Sequence, residues 1–68
     1  MTDIEKLKEA ITESGIPVTT IAKRAGIERA TFYNRLNGKS EFRASEIEGI
    51  TKALRLTKKQ RDDIFFCP

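Results

Sequence analysis

Between Ile21 and Lys39 the chain reads Ile-Ala-Lys-Arg-Ala-Gly-Ile-Glu-Arg-Ala-Thr-Phe-Tyr-Asn-Arg-Leu-Asn-Gly-Lys, and this stretch constrains the fold most. Ile21, Ala22 and Ala25 fall on one face of a short helix that stops at Gly26. Phe32 and Leu36, one turn apart, fall on a second helix that runs to Asn37. Two helices joined by a turn of about three or four residues form a helix-turn-helix. A close crossing needs a small side chain where the pair touch, which Ala22 supplies. Gly26 takes the left-handed position that ends a helix at least cost. The plain alternative is an αα-hairpin that binds nothing, and the charge pattern weighs against it.

The net charge is +3, unevenly spread. Residues 1–16 set Lys6 and Lys8 against Asp3, Glu5, Glu9 and Glu13, a balance of −2. Residues 17–43 set Lys23, Arg24, Arg29, Arg35, Lys39 and Arg43 against Glu28 and Glu41, a balance of +4. Residues 44–68 come to +1. Positive charge thus gathers on the helix-turn-helix and the loop after it, where phosphates would be neutralised. A merely solvated face usually alternates sign more evenly.

With 68 residues the chain reads as one domain, 1–68, near the lower limit for folding without staples. Its 38% hydrophobic and 34% charged residues describe a globular chain. No apolar run is long enough for a membrane span and no signal segment opens the chain, so a place inside the cell is expected. Cys67 is the only cysteine, which excludes an internal disulfide and leaves too few ligands for a metal site. Without histidine, with its thiol at the chain's end, and with no Gly-rich phosphate cradle, the chain offers no catalytic residues and no cofactor site. Asp62-Asp63 reads as solvated surface in a charged terminal helix.

Five helices are expected, and no alternating run suggests a strand. Thr2-x-x-Glu5 resembles a capping box, followed by Ile4, Leu7 and Ile11 at helical spacing up to Gly15. Pro17 suits the first turn of helix 2, about 18–25, and helix 3 covers about 29–37. A loop through Phe42 follows Asn37-Gly38. Ala44-Ser45-x-x-Glu48 opens helix 4, with Ile47, Ile50 and Leu54 on its buried stripe. Thr57-x-x-Gln60 opens a short last helix ending at Ile64-Phe65-Phe66. The expected core is Ile4, Leu7, Ile11, Ile21, Ala25, Ile27, Phe32, Leu36, Ile47, Ile50, Leu54 and Leu56. The class is all-α.

Ile21-Ala22, Ala25-Gly26-Ile27, Thr31-Phe32 and Leu36-Asn37-Gly38-Lys39 together resemble the Cro and repressor type of helix-turn-helix, the xenobiotic-response-element family. The resemblance implies a compact five-helix lambda-repressor-like DNA-binding domain with a central helix-turn-helix at about 18–37. It also implies a transcription regulator similar to small temperate-phage regulators, either Cro-like or of the modulator-of-repression type. Two positions depart from the family's pattern. Val18 stands where a phosphate-binding Gln is frequent, and Arg35 stands where an aliphatic residue is usual. Arg35 either lays its stem on the core and sends its charge to the DNA backbone, or turns to solvent.

Reading a major groove requires side chains on helix 3 that point away from Phe32 and Leu36, namely Glu28, Arg29, Ala30, Tyr33 and Asn34. Arg29 matches guanine O6 and N7, and Asn34 matches adenine N6 and N7. Glu28 either accepts from cytosine N4 or caps the helix. Ala30 suits a thymine methyl, while Tyr33 stacks, touches backbone or belongs to the core margin. The phosphate set is Thr19, Lys23, Asn37, Lys39, Ser40 and Arg43.

The expected partner is double-stranded operator DNA, bound in the cytoplasm of a bacterial host, with no membrane role. One such domain makes a small DNA interface, so a homodimer or a complex with the cognate phage repressor is expected to raise affinity. Val18, Tyr33, Ile64, Phe65 and Phe66 are the candidate protein-contact residues. An antitoxin-like role has no positive support.

Overall fold

Asp3 starts the first helix. Its Oδ1 accepts the Lys6 N–H at 3.1 Å, satisfying one of the free donors at a helix start. Its own N–H donates to the Ile64 carbonyl at 2.6 Å, tying the start of the chain to the last helix. The expected cap, Thr2, is used elsewhere: its N–H and hydroxyl both reach Glu41 Oε1, at 3.2 and 3.0 Å.

The computed structural model describes residues 1–67, which form α1 (Ile4–Ser14), α2 (Val18–Ala25), α3 (Arg29–Leu36), α4 (Ala44–Leu54) and α5 (Lys58–Phe65). Among the described residues there is no strand. Pro17 lies just ahead of α2 rather than within its first turn, and its carbonyl accepts from Thr20 and Ile21, both at 3.0 Å. Between α2 and α3 Gly26 takes φ 72°, and the Ile27 N–H closes the turn onto the Ala22 carbonyl at 2.9 Å. The reciprocal cap of Thr57 and Gln60 forms at α5 as its sequence suggests, with bonds of 3.1 and 2.8 Å. The start of α4 differs from expectation. Arg43 holds the cap position and Glu46 Oε1 accepts its N–H at 2.8 Å, leaving Ser45 and Glu48 inside the helix.

Leu7, Ile21, Phe32 and Ile50 are completely buried, surrounded by Ile11, Ala22, Ile27, Leu36, Ile47, Ile64 and Phe65. Ile4, Ala25, Leu54 and Leu56, expected inside, are half-buried at the margin. Phe42 was expected only as a loop residue, yet it is buried. Its ring meets Phe32 at 6.0 Å and Phe65 at 5.6 Å, both edge-to-face, a favoured aromatic geometry. Ala22 is buried as the tight turn requires, but the close backbone approach lies between α2 and α4. A Cβ on Gly49 would sit 2.5 Å from the Ala25 carbonyl oxygen, so only glycine fits there.

Candidate nucleic-acid interface

Because Phe32 and Leu36 turn inward, helical geometry sends the positions between them outward. Arg29, Ala30, Tyr33 and Asn34 are all exposed, and with Asn37 they form one stripe along α3. The Arg29 guanidinium lies 5.9 Å from the Tyr33 ring centroid, within range of a cation–π contact. Tyr33 is 40% exposed, so it belongs to this surface rather than to the core margin. Glu28 occupies the position ahead of α3, where its carbonyl accepts the Phe32 N–H at 2.9 Å. Its carboxylate makes no capping bond and faces solvent at the helix start.

The candidate phosphate residues Thr19, Lys23, Asn37, Lys39, Ser40 and Arg43 are exposed without exception. Asn37, Lys39, Ser40 and Arg43 continue directly from the α3 stripe through the loop into the start of α4. Among the described residues the ion pairs involve Arg35, Lys52 and Arg61, and none involves Lys23, Arg29, Lys39 or Arg43. Val18, half-buried, packs against the core margin and presents no polar side-chain atom at the start of α2.

Arg35 follows neither of its expected courses. Its Nε and Nη2 donate to the two carboxylate oxygens of Glu46 at 2.9 and 3.2 Å, and Nη1 donates to Ser40 Oγ at 2.6 Å. The planar guanidinium matches a carboxylate in this forked way, and the pairing withdraws its charge from the free positive set. The Arg35 guanidinium in turn holds the Glu46 carboxyl below its ordinary range. No local sequence signal marks this pair, since its members are 11 residues apart on different helices.

The terminal apolar cluster divides. Ile64 and Phe65 are 5% and 2% exposed and belong to the core, which removes them from the candidate protein-contact set. Phe66 is 57% exposed, with the Arg61 guanidinium 5.6 Å from its ring centroid. It borders an open groove lined also by Phe42, Ala44, Ile47 and Thr51. Among the described residues no group of three or more His, Cys, Asp or Glu side chains is placed to hold a metal, and no helix is long and apolar enough to cross a membrane.

Five helices with α2 and α3 joined through a left-handed glycine, and an exposed polar and cationic stripe on α3, define a helix-turn-helix DNA-binding protein. Residues 6–60 match the Cro/C1-type HTH DNA-binding domain, and the chain belongs to that family of transcription regulators. No curated protein and no solved structure matches it.

Proposed function

We propose that the chain places α3 in the major groove of operator DNA and binds without catalysis, as a Cro-like regulator of a phage lysis–lysogeny switch in the bacterial cytoplasm. The observation that carries the DNA-reading part is the continuous exposed stripe of Arg29, Ala30, Tyr33, Asn34 and Asn37, running into Lys39 and Arg43. Arg29 and Asn34 are assigned to base edges, with Glu28 and Ala30 at the margins of the reading set. Thr19, Lys23, Asn37, Lys39, Ser40 and Arg43 are assigned to phosphates. The phage setting is supported by membership of the Cro/C1-type family, among whose members are small temperate-phage regulators.

In a second reading the chain is a modulator that binds the cognate repressor and alters its DNA occupancy, with exposed Phe66 beside its groove as a candidate contact. A footprint of the chain alone on selected DNA separates the two. Protection of a defined site supports direct reading. Protection that appears only after the repressor is added supports the modulator and moves Tyr33 and Val18 to a protein contact.

A further inference from the structure

Loop 37–43 carries Lys39, Ser40 and Arg43, yet it is anchored like part of the core. Phe42 plugs it between Phe32 and Phe65. Thr2 holds Glu41 with bonds of 3.2 and 3.0 Å. At its base Arg35 reaches from α3 to Ser40 at 2.6 Å and to Glu46 on α4 at 2.9 and 3.2 Å. Glu46 Oε1 simultaneously accepts the Arg43 N–H at 2.8 Å. One guanidinium and one carboxylate, only 12% and 13% exposed, therefore hold the segment from Ser40 to Arg43, directly after Lys39, whose own N–H donates to the Asn34 carbonyl of α3 at 3.1 Å.

We infer that Arg35 and Glu46 are positioning residues for phosphate binding: they touch no DNA themselves but hold Lys39, Ser40 and Arg43 in register with the α3 stripe. This rests on the DNA-reading assignment above. Preorganisation matters because a loop that must be ordered on binding loses affinity to that ordering. A forked ion pair suits the task, since two parallel bonds fix orientation as well as distance. The arrangement also explains why an arginine stands at a position for which an aliphatic residue would supply burial alone.

Simple electrostatics and positioning predict opposite effects for Glu46→Gln. Removing a carboxylate near the cationic loop would strengthen binding if charge alone mattered. If the pair positions the loop, binding weakens although the net charge rises by one. The test measures binding of wild type, Glu46→Gln, Arg35→Met and Lys39→Ala over a range of salt, well below each melting temperature. The probes are a duplex selected from a random pool by the wild-type chain and an unrelated duplex. Glu46→Gln is expected to bind both duplexes about three- to tenfold more weakly, with a salt slope smaller by about one and an unchanged ratio between duplexes. Arg35→Met is expected to do the same to a larger extent. Should Arg35→Met fail to fold, Glu46→Gln decides, since it preserves volume and an acceptor for the Arg43 N–H. Tighter or unchanged binding by Glu46→Gln overturns the inference, and so does a loss confined to the ratio between duplexes. Wild-type affinity and slope in Lys39→Ala would instead sink the placement of the loop on phosphate, whatever the result at Arg35 and Glu46.

Discussion

Arg29 and Tyr33 sit one helical turn apart, and their 5.9 Å contact gives the arginine a preferred rest position on the surface of α3. A cation–π contact at an exposed site is worth about 0.5–1 kcal/mol, enough to bias a rotamer without locking it. Bidentate recognition of guanine is worth more, about 1–3 kcal/mol of discrimination, so the proposed reading gives Arg29 the larger part and Tyr33 a supporting one. Arg29→Ala is expected to cost about that amount and to relax preference at one base pair. Tyr33→Ala is expected to relax the same base pair by a smaller factor, while Tyr33→Phe, which keeps the ring face, binds like wild type. Binding to duplexes altered one base pair at a time measures all three. Unchanged preference in Arg29→Ala would remove α3 as the reading element. Lys39→Ala is expected to differ in kind, weakening every sequence alike and lowering the salt slope by about one.

Between helices, the two informative glycines serve different needs. Gly26 has open space around it and needs glycine for its φ of 72°, whereas Gly49 needs glycine because Ala25 backbone stands 2.5 Å from any Cβ. Gly26→Ala is expected to cost about 1–2 kcal/mol, the ordinary penalty of a left-handed non-glycine residue. Gly49→Ala must move α4 from α2 and is expected to lower the melting temperature further, by overpacking of about 1–3 kcal/mol that exceeds alanine's gain in helix propensity. A Gly49→Ala melt above that of Gly26→Ala would contradict the α2–α4 contact. The α3–α4 ion pair has a pH signature. Its hydrogen bonds to Arg35 lower the carboxyl of Glu46 in the folded chain, so the charged form favours the native state. That stability is full above the unfolded glutamate value of about 4.3 and is lost as pH falls through the lower folded value. Glu46→Gln is expected to flatten this part of a melting-temperature-against-pH curve, and an unchanged acid limb would deny the coupling. The helices themselves were legible in the sequence because the inward spacing of Leu7 and Ile11, or Phe32 and Leu36, needs no knowledge of partners, whereas the caps of α1 and α4 fell on Asp3 and Arg43 instead of the expected residues. The same spacing made the α3 stripe legible, since fixing the inward pair fixes what faces out. Phe42, Gly49 and Glu46 were not legible, because each takes its meaning from a residue on another element. Ile64 and Phe65 illustrate the converse: apolar side chains read alike whether a core or a partner buries them.

At the scale of the whole molecule, the proposed DNA reading makes the dimensions of this domain favour a partner. The chain measures 27 × 24 × 20 Å, whereas half-sites read by paired helix-turn-helix proteins lie about 34–36 Å apart, one turn of the duplex. On the proposed reading one copy would cover one half-site, and the few phosphate contacts assigned to it predict weak binding at physiological salt. A second copy on a two-fold operator brings a second reading helix and is the simplest remedy. Phe66 is the residue to test for that contact, because its ring is 57% exposed beside a groove while its neighbours Ile64 and Phe65 are committed to the core. Sedimentation of the chain at micromolar concentration is expected to show a homodimer, and Phe66→Ser is expected to shift it toward monomer. The melting temperature of the monomer should change little, since an exposed ring contributes little burial. A monomer that forms a one-to-one complex with the cognate repressor would favour the modulator over the Cro-like regulator, with Phe66→Ser weakening that complex instead. If neither association responds to Phe66→Ser, the groove beside α4 and α5 is not the contact, and pairing has to be sought on another face.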